Sequence, residues 1–284
     1  MTSAPADRPL SSAGSLVRPQ EFRRPAVLIF DVNETLSDMS PMRGRFEDVG
    51  APAHLATTWF AGLLRDGFAL TAAGSSAPFA RIAAEALRVS LHDVPLNRPA
   101  DDAVQHIMDG FAGLPVHPDV PEGIRALHAA GLRMVTLSNG STSVAQALFD
   151  RAGIARHLEA LMSVENAGAW KPAAVAYRYA LEQCGVHPRD AMLVAVHPWD
   201  IDGAARVGLQ TAWINRTGGP YPAYFTPPDF SSRSMIDLAD HLHSSPPSPP
   251  SPQVEGCVGG DVEGWTTWST ERSAGPGSRG QPVP

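Results

Sequence analysis

Four short strings place chemically capable side chains at the ends of strand-like runs or ahead of helix starts. The first is Asp31-Val32-Asn33-Glu34-Thr35-Leu36, which follows the apolar run Ala26-Val27-Leu28-Ile29-Phe30. An Asp at the end of a buried strand lies where the next backbone N–H groups can hold its charge, although turn and helix-cap Asp residues are common. The second is Leu137-Ser138-Asn139-Gly140-Ser141, small hydroxyl and amide groups ahead of a helix start. That arrangement makes an anion site or an ordinary helix cap. In the third, Trp170-Lys171-Pro172, the Pro opens a helix and leaves Lys171 just outside it, able to reach inward, with Tyr177 further along. A lone Lys there is ordinarily a solvated charge. The fourth runs Ala195-Val196-His197-Pro198-Trp199-Asp200-Ile201-Asp202-Gly203, strand, turn and helix again, and Asp200 alone reads as a helix cap. Joint occurrence carries more than any one string.

The elements that must position these strings alternate between strand and helix. Short apolar runs over 26–30, 134–137, 161–164, 191–195 and 210–214 read as strands. Helical patterns follow over 120–130, 142–152, 173–184 and 200–207, several stopped by Gly131, Gly153 or Gly185. Such alternation predicts an α/β, doubly wound, Rossmann-like parallel sheet with right-handed crossovers. Residues 41–111 differ, having helical spacing over 55–64, 79–89 and 100–111 and no strand-like run. A small all-helical cap inserted after the first strand is expected, above the carboxyl edge where open α/β sheets bind ligands. The core is then 25–40 with 112–243.

Residues 1–24 have the composition of a disordered leader, and 244–284 that of a disordered Pro/Gly-rich tail. The 284 residues are 43% hydrophobic and 18% charged, with a formal net charge of −7. The hydrophobic share supports a large core. The absence of any Lys/Arg run argues against a nucleic-acid partner. No run is apolar and long enough for a membrane span or signal core, so no membrane partner and a cytoplasmic location are expected. Two cysteines, Cys184 and Cys257, make no disulfide framework. The ten histidines show no metal-ligand spacing, and His241 and His243 read as solvated.

Asp31 with Thr35, Ser138, Lys171 and Asp200, in that order, resemble the motifs of the haloacid dehalogenase superfamily. The resemblance spans residues 26–243 and includes the position of the cap. Several strings are similar to the L-2-haloacid dehalogenase branch: Leu137-Ser138-Asn139-Gly140, Lys171-Pro172 with Tyr177, Trp199-Asp200, Trp213-Ile214-Asn215-Arg216, and Thr58-Trp59 in the cap. This implies a hydrolase that needs no cofactor or metal and acts on a small-molecule carboxylate. Asp31 would attack the halogen-bearing carbon of a 2-haloacid to form an aspartyl ester, which water then hydrolyses. The resemblance makes Asp31, Lys171 and Asp200 catalytic, Lys171 as counter-charge and Asp200 positioning Lys171 or the water. It assigns Val32, Asn33, Thr35, Ser138, Asn139, Tyr177 and His197 to the substrate, Ser138 toward its carboxylate and Asn139 toward the leaving halide. It also implies a homodimer.

Two departures bear on the substrate. The dehalogenases carry an Arg about eight residues before the Thr-Trp pair, where this chain has Ala51 and Pro52, with Arg43 and Arg45 nearby. They also carry Ser and Asn where Ala195 and His197 stand. His197 could donate a hydrogen bond as Asn would, act as a base, or simply shape the turn. The rival readings are a Mg-dependent phosphatase on a small phosphate ester and a catalytically weak ligand-binding descendant. The superfamily's phosphatases carry a second Asp where Asn33 stands, which disfavours the first. The retention of Asp31, Ser138, Lys171 and Asp200 together argues against the second.

Overall fold

The computed structural model describes residues 23–244. Six strands are present among them: β1 (Val27–Phe30), β2 (Arg133–Ser138), β3 (Ala160–Ser163), β4 (Ala191–Ala195), β5 (Gln210–Ile214) and β6 (Phe230–Ser232). The helices are α1 (Met42–Glu47), α2 (Leu55–Ala72), α3 (Phe79–Ser90), α4 (Ala100–Ala112), α5 (Val120–Ala129), α6 (Thr142–Arg151), α7 (Val164–Ala167), α8 (Ala174–Cys184), α9 (Pro198–Val207) and α10 (Met235–Ser244).

The strands form one parallel sheet in the order β3-β2-β1-β4-β5-β6. The chain winds outward from β1 through β2 to β3, then returns to the other side of β1 as β4. A crevice therefore opens at the carboxyl ends of β1, β2 and β4, the switch point where such sheets bind ligands. Every residue of β1, β4 and β5 is buried, as expected for strands covered on both faces. One apolar layer joins Leu28, Phe30, Met134 and Met192 to α5, α6 and α10. The other joins Val27, Ile29, Leu193 and Ala195 to α8, α9 and the helical segment 42–112. Each buried Val, Leu, Ile, Phe or Met among them contributes roughly 1.5–3 kcal/mol relative to exposure.

Helices α1–α4 leave the core after β1 and return before α5. Their exit and return strands are tied by an antiparallel bridge between Ser37 and Val116, and by the His117 N–H donating to Leu36 O at 2.9 Å. Trp59 anchors this segment, buried against Phe46 and Phe111, with Nε1–H donating to Ala83 O at 2.9 Å. Trp170 connects the segment to the core. Its ring stacks on Phe79 at 5.8 Å, its Nε1–H donates to Ala77 O at 3.2 Å, and α2 passes over it at Gly67. A Cβ at Gly67 would lie 2.4 Å from the Trp170 ring, so the contact requires glycine there.

Several expected boundaries shift. Helix α2 continues past residue 64 to Ala72, and α1 was not expected. Strand β3 ends at Ser163, and Val164 already begins α7. Strand β6 and helix α10 were also not expected, and α10 carries the core to Ser244 rather than 243. His241 is not a solvated side chain as expected: it is half-buried and stacks on Phe230 with centroids 3.8 Å apart, whereas His243 is exposed. At the other end Arg24, expected within the leader, donates to the Ala130 carbonyl. The remainder of the expected leader and tail, with Cys257, lies outside the described residues. Among the described residues no helix is long and apolar enough to cross a membrane, and no His, Cys, Asp and Glu cluster could hold a metal ion.

Candidate active site

Asp31 is the residue after β1, and its N–H extends the ladder to Val194 O at 3.0 Å. Its buried carboxylate is met on both oxygens. Lys171 Nζ donates to Oδ1 at 2.9 Å, Thr35 Oγ1 donates to Oδ2 at 2.6 Å, and His197 Nδ1 lies 3.3 Å from Oδ2. Burial alone would raise this carboxyl, but Lys171, His197 and Thr35 outweigh it and hold it well below the ordinary carboxylate range. Asp31 is therefore ionised although buried, the condition a carboxylate nucleophile needs.

Lys171 is fully buried between two carboxylates, with Nζ also donating to Asp200 Oδ2 at 2.6 Å. Burial opposes its charge, but Asp200 and Asp31 together raise it above the ordinary lysine value. Asn139 sets its main chain. The Lys171 N–H donates to Asn139 Oδ1 at 2.9 Å, and Asn139 Nδ2 donates to Lys171 O at 3.4 Å. The peptide bond to Pro172 is cis.

Asp200 lies in the first turn of α9, fully buried, where the helix N-terminus favours negative charge. Tyr177 of α8 donates to its Oδ1 at 2.6 Å. Burial raises the Asp200 carboxyl and pushes the Tyr177 hydroxyl well above its ordinary value, so Tyr177 stays a donor. Gly203 makes this contact feasible, since a Cβ there would fall 2.6 Å from the Tyr177 hydroxyl. Asp202 faces away, bonded to Arg206 and Thr226.

His197 joins Asp31 to Glu34, which lies 2.8 Å from its Nε2. Its ring stacks on Trp199 with centroids 4.8 Å apart. Burial would lower its pKa, but hydrogen bonds and charge from Asp31 and Glu34 raise it to about 9. Glu34 holds φ at 62°, the one non-glycine residue with positive φ among the described residues. That backbone costs on the order of 1 kcal/mol. It is clamped by its N–H donating to Ser37 Oγ at 3.3 Å and by a 3.0 Å contact between its carbonyl and His117 Nε2.

Two spaces flank the site. An apolar cavity of about 70 Å³ runs between α6 and the ends of α3 and α4, lined by Asn33, Ser138, Phe79, Phe111, Val144 and Arg151. A more open groove of about 400 Å³ lies on the His197 side, with Glu34, His117 and Arg216 in its wall.

The seven expected substrate residues divide between these surroundings. Val32, Asn33 and Ser138 line the apolar cavity, where Ser138 Oγ also accepts from the Gly140 N–H at 2.9 Å. Thr35, Tyr177 and His197 instead touch the two carboxylates, and Asn139 holds Lys171 with both amide atoms. Neither Arg43 nor Arg45 lines the cavity, and Arg45 lies over α4 at Gly110. The cation that does is Arg151, whose guanidinium caps the end of α4 through Ala112 O and Leu114 O, both at 3.0 Å. Sequence reasoning did not single out Arg151, a basic residue in the last turn of α6. It also missed Glu34, although that residue lies inside the first motif.

Comparison with known proteins gives the family. The model of the haloacid dehalogenase-like hydrolase family matches residues 25–208. Haloacetate dehalogenase H-2 of Moraxella sp. (strain B) is 29% identical over 217 residues, 76% of this chain and 96% of that protein. (S)-2-haloacid dehalogenase 4A of Burkholderia cepacia is 29% identical over 212 residues, 74% of this chain and 91% of that protein. A dehalogenase crystallised as an intermediate complex superposes with a TM-score of 0.74 at 27% identity, over 79% of this chain and all of that one. The L-2-haloacid dehalogenase of Xanthobacter autotrophicus with chloropropionic acid covalently bound shares the fold, with a TM-score of 0.70 at 23% identity over 77% of this chain and 98% of its own. The chain thus belongs to the haloacid dehalogenase-like hydrolase family.

Proposed function

We propose that this hydrolase is a dehalogenase of small 2-haloacids, converting an (S)-2-haloacid to the 2-hydroxy acid and halide through an ester on Asp31. The observation that carries the reading is a buried Asp31, paired with Lys171 at 2.9 Å and seated beside an apolar cavity. The substrate carboxylate binds at Ser138 and the N–H groups leading into α6, and the apolar walls take its carbon chain. An Asp31 oxygen bonds to C2 with inversion, and the carbon–halogen pair leaves as halide. Water then attacks Asp31 Cγ, and Asp200, held by Lys171 and Tyr177, accepts its proton. Residues 41–111 act as the cap that excludes bulk water from the first step. The dehalogenases among its relatives support this assignment.

The apolar cavity suits a short carbon chain better than a phosphate ester, and Asn33 supplies no carboxyl to protonate a leaving alcohol. The test is halide release from (S)-2-chloropropionate in the presence of EDTA, comparing the parent with Asp31→Asn. Metal-independent release that vanishes in the variant is expected. No release from the parent overturns the reading and turns attention to phosphate esters with added Mg²⁺.

A further inference from the structure

Lys171 reaches two carboxylates at once, Asp31 at 2.9 Å and Asp200 at 2.6 Å. Its ammonium rides on a flexible four-carbon stem. Such a side chain meets both targets only if its main chain is held to within about 0.5 Å. The core supplies part of that hold through Asn139, which bonds the Lys171 N–H and carbonyl. The rest comes from the residue before it. Trp170 is 1% exposed, and both of its donors go to the helical segment 41–111. Its main-chain N–H donates to Thr71 Oγ1 at 3.1 Å, and its Nε1–H donates to Ala77 O at 3.2 Å. Its ring lies against Gly67 of α2 and Phe79 of α3. Only its carbonyl turns the other way, accepting from the Ala173 N–H at 2.9 Å.

We propose that Trp170, seated by Gly67, Thr71 and Phe79, is a positioning residue for Lys171. The helical segment then does more than cover the site: it sets where the ammonium stands between Asp31 and Asp200. The proposal rests on the dehalogenase reading above, in which Lys171 is the counter-charge of Asp31 and fastens Asp200. Trp170 and Lys171 share a peptide group, so a displaced indole carries the Lys171 main chain with it. Gly67 and Thr71 do not line the apolar cavity, and a change at either reaches the chemistry through Trp170. Phe79 lines the cavity and also stacks on Trp170, with ring planes 12° apart. The walls of the cavity and the placement of the cation are thus built on one aromatic contact.

A contact that only docked the segment on the core would need the buried ring and no more. The main chain shows more. Three successive peptide groups, before Trp170, between Trp170 and Lys171, and after Lys171, each bond to a side chain from elsewhere in the sequence. Thr71 holds the first from 99 positions away, and Asn139 holds the other two from 32 positions away. Backbone outside helix and strand has no regular partners. Here Thr71 and Asn139 supply them on either side of the catalytic lysine.

The experiment is steady-state halide release from (S)-2-chloropropionate with EDTA present, at a temperature where unfolding curves show every variant fully folded. Thr71→Val keeps the side chain's shape and removes the acceptor, so kcat should fall about tenfold while KM stays within about twofold. Thr71→Ser keeps the hydroxyl and should return kcat to within about twofold of the parent. Gly67→Ala presses a Cβ to 2.4 Å from the Trp170 ring. Its kcat should fall on the order of 10²-fold, even though Ala suits a helix better than Gly. Gly67→Ala/Trp170→Phe removes the outer indole atoms that collide and should regain part of that loss. The inference is overturned if these variants lower Tm and leave kcat at the parent value, if KM rises while kcat holds, or if Thr71→Ser is as slow as Thr71→Val. In each of those cases the parent still releases halide and the dehalogenase reading stands. A parent that releases no halide sinks the dehalogenase reading and the inference with it.

Discussion

Lys171 closes a 2.9 Å ion pair with Asp31, a residue 140 positions earlier in the chain, and both side chains are buried. The same ammonium holds Asp200 at 2.6 Å, so one cation bridges two buried carboxylates, and His197 also lies against Asp31. Removing one member of such a set leaves uncompensated charge in the interior.

Lys171→Met therefore tests stability and activity together. The variant should lose roughly 3–5 kcal/mol of stability by urea unfolding and at least 10²-fold in halide release. Parent-like unfolding would show that solvent reaches the two carboxylates. Lys171→Met/Asp200→Asn should recover part of the stability and none of the activity.

Gly203 sets how closely α9 approaches α8. Ala at this position would place Cβ 2.6 Å from the Tyr177 hydroxyl and 2.7 Å from Pro172 Cβ. Overpacking of this kind costs roughly 1–3 kcal/mol, and displacement of Tyr177 removes a donor from Asp200. Gly203→Ala should lower Tm and depress kcat more than KM. An unchanged kcat would show that Tyr177 does not govern Asp200.

His197 ties stability to pH. Its pKa is raised from the ordinary histidine value of 6.5 to about 9 in the folded chain. Its contribution is complete below the unfolded value and disappears as pH climbs through about 9. Unfolding free energy should then fall over that window by on the order of 3 kcal/mol. Glu34→Gln should shrink the fall and move the titration, followed by the His197 ring proton in NMR, to lower pH. A ring that titrates near 6.5 in the parent would contradict the pairing of His197 with Asp31 and Glu34.

Val144 is half-buried on α6 and faces the apolar cavity. Val144→Phe should occupy that space, raising KM for 2-chloropropionate about tenfold or more while Tm changes little. An unaltered KM would place the substrate elsewhere, with the open groove beside His197 the next candidate.

Much of the site was legible because its motifs are local. Each candidate group lies after a strand or at or shortly before a helix start, and hydrophobic period with Gly and Pro punctuation locates those points closely. Pattern placed Asp31, Ser138, Lys171 and Asp200 at those points, whereas the family resemblance assigned their roles and brought in Val32 and Asn33. Elements lacking such signals were missed. Strand β6 has only three residues, α1 only six, and α10 abuts the Pro-rich run that masked it. Helix α2, expected to end near residue 64, continues through Gly67, where the absence of a Cβ admits the Trp170 ring.

What the sequence determined by itself was the order of strands and helices, the position of the helical insertion, and the identity of the groups at the sheet's carboxyl edge. Spacing and residue type encode these within a few residues of chain. Only the tertiary structure decided which of those groups touch. Asn139 and Tyr177 read as substrate ligands, yet one holds the Lys171 backbone and the other donates to Asp200. Glu34 was given no role, yet it grips His197 from a position 163 residues away. Sheet order brings β1 beside β4, and register sets which side chains meet across the crevice. Both are consequences of burying two apolar layers at once, which no local pattern records.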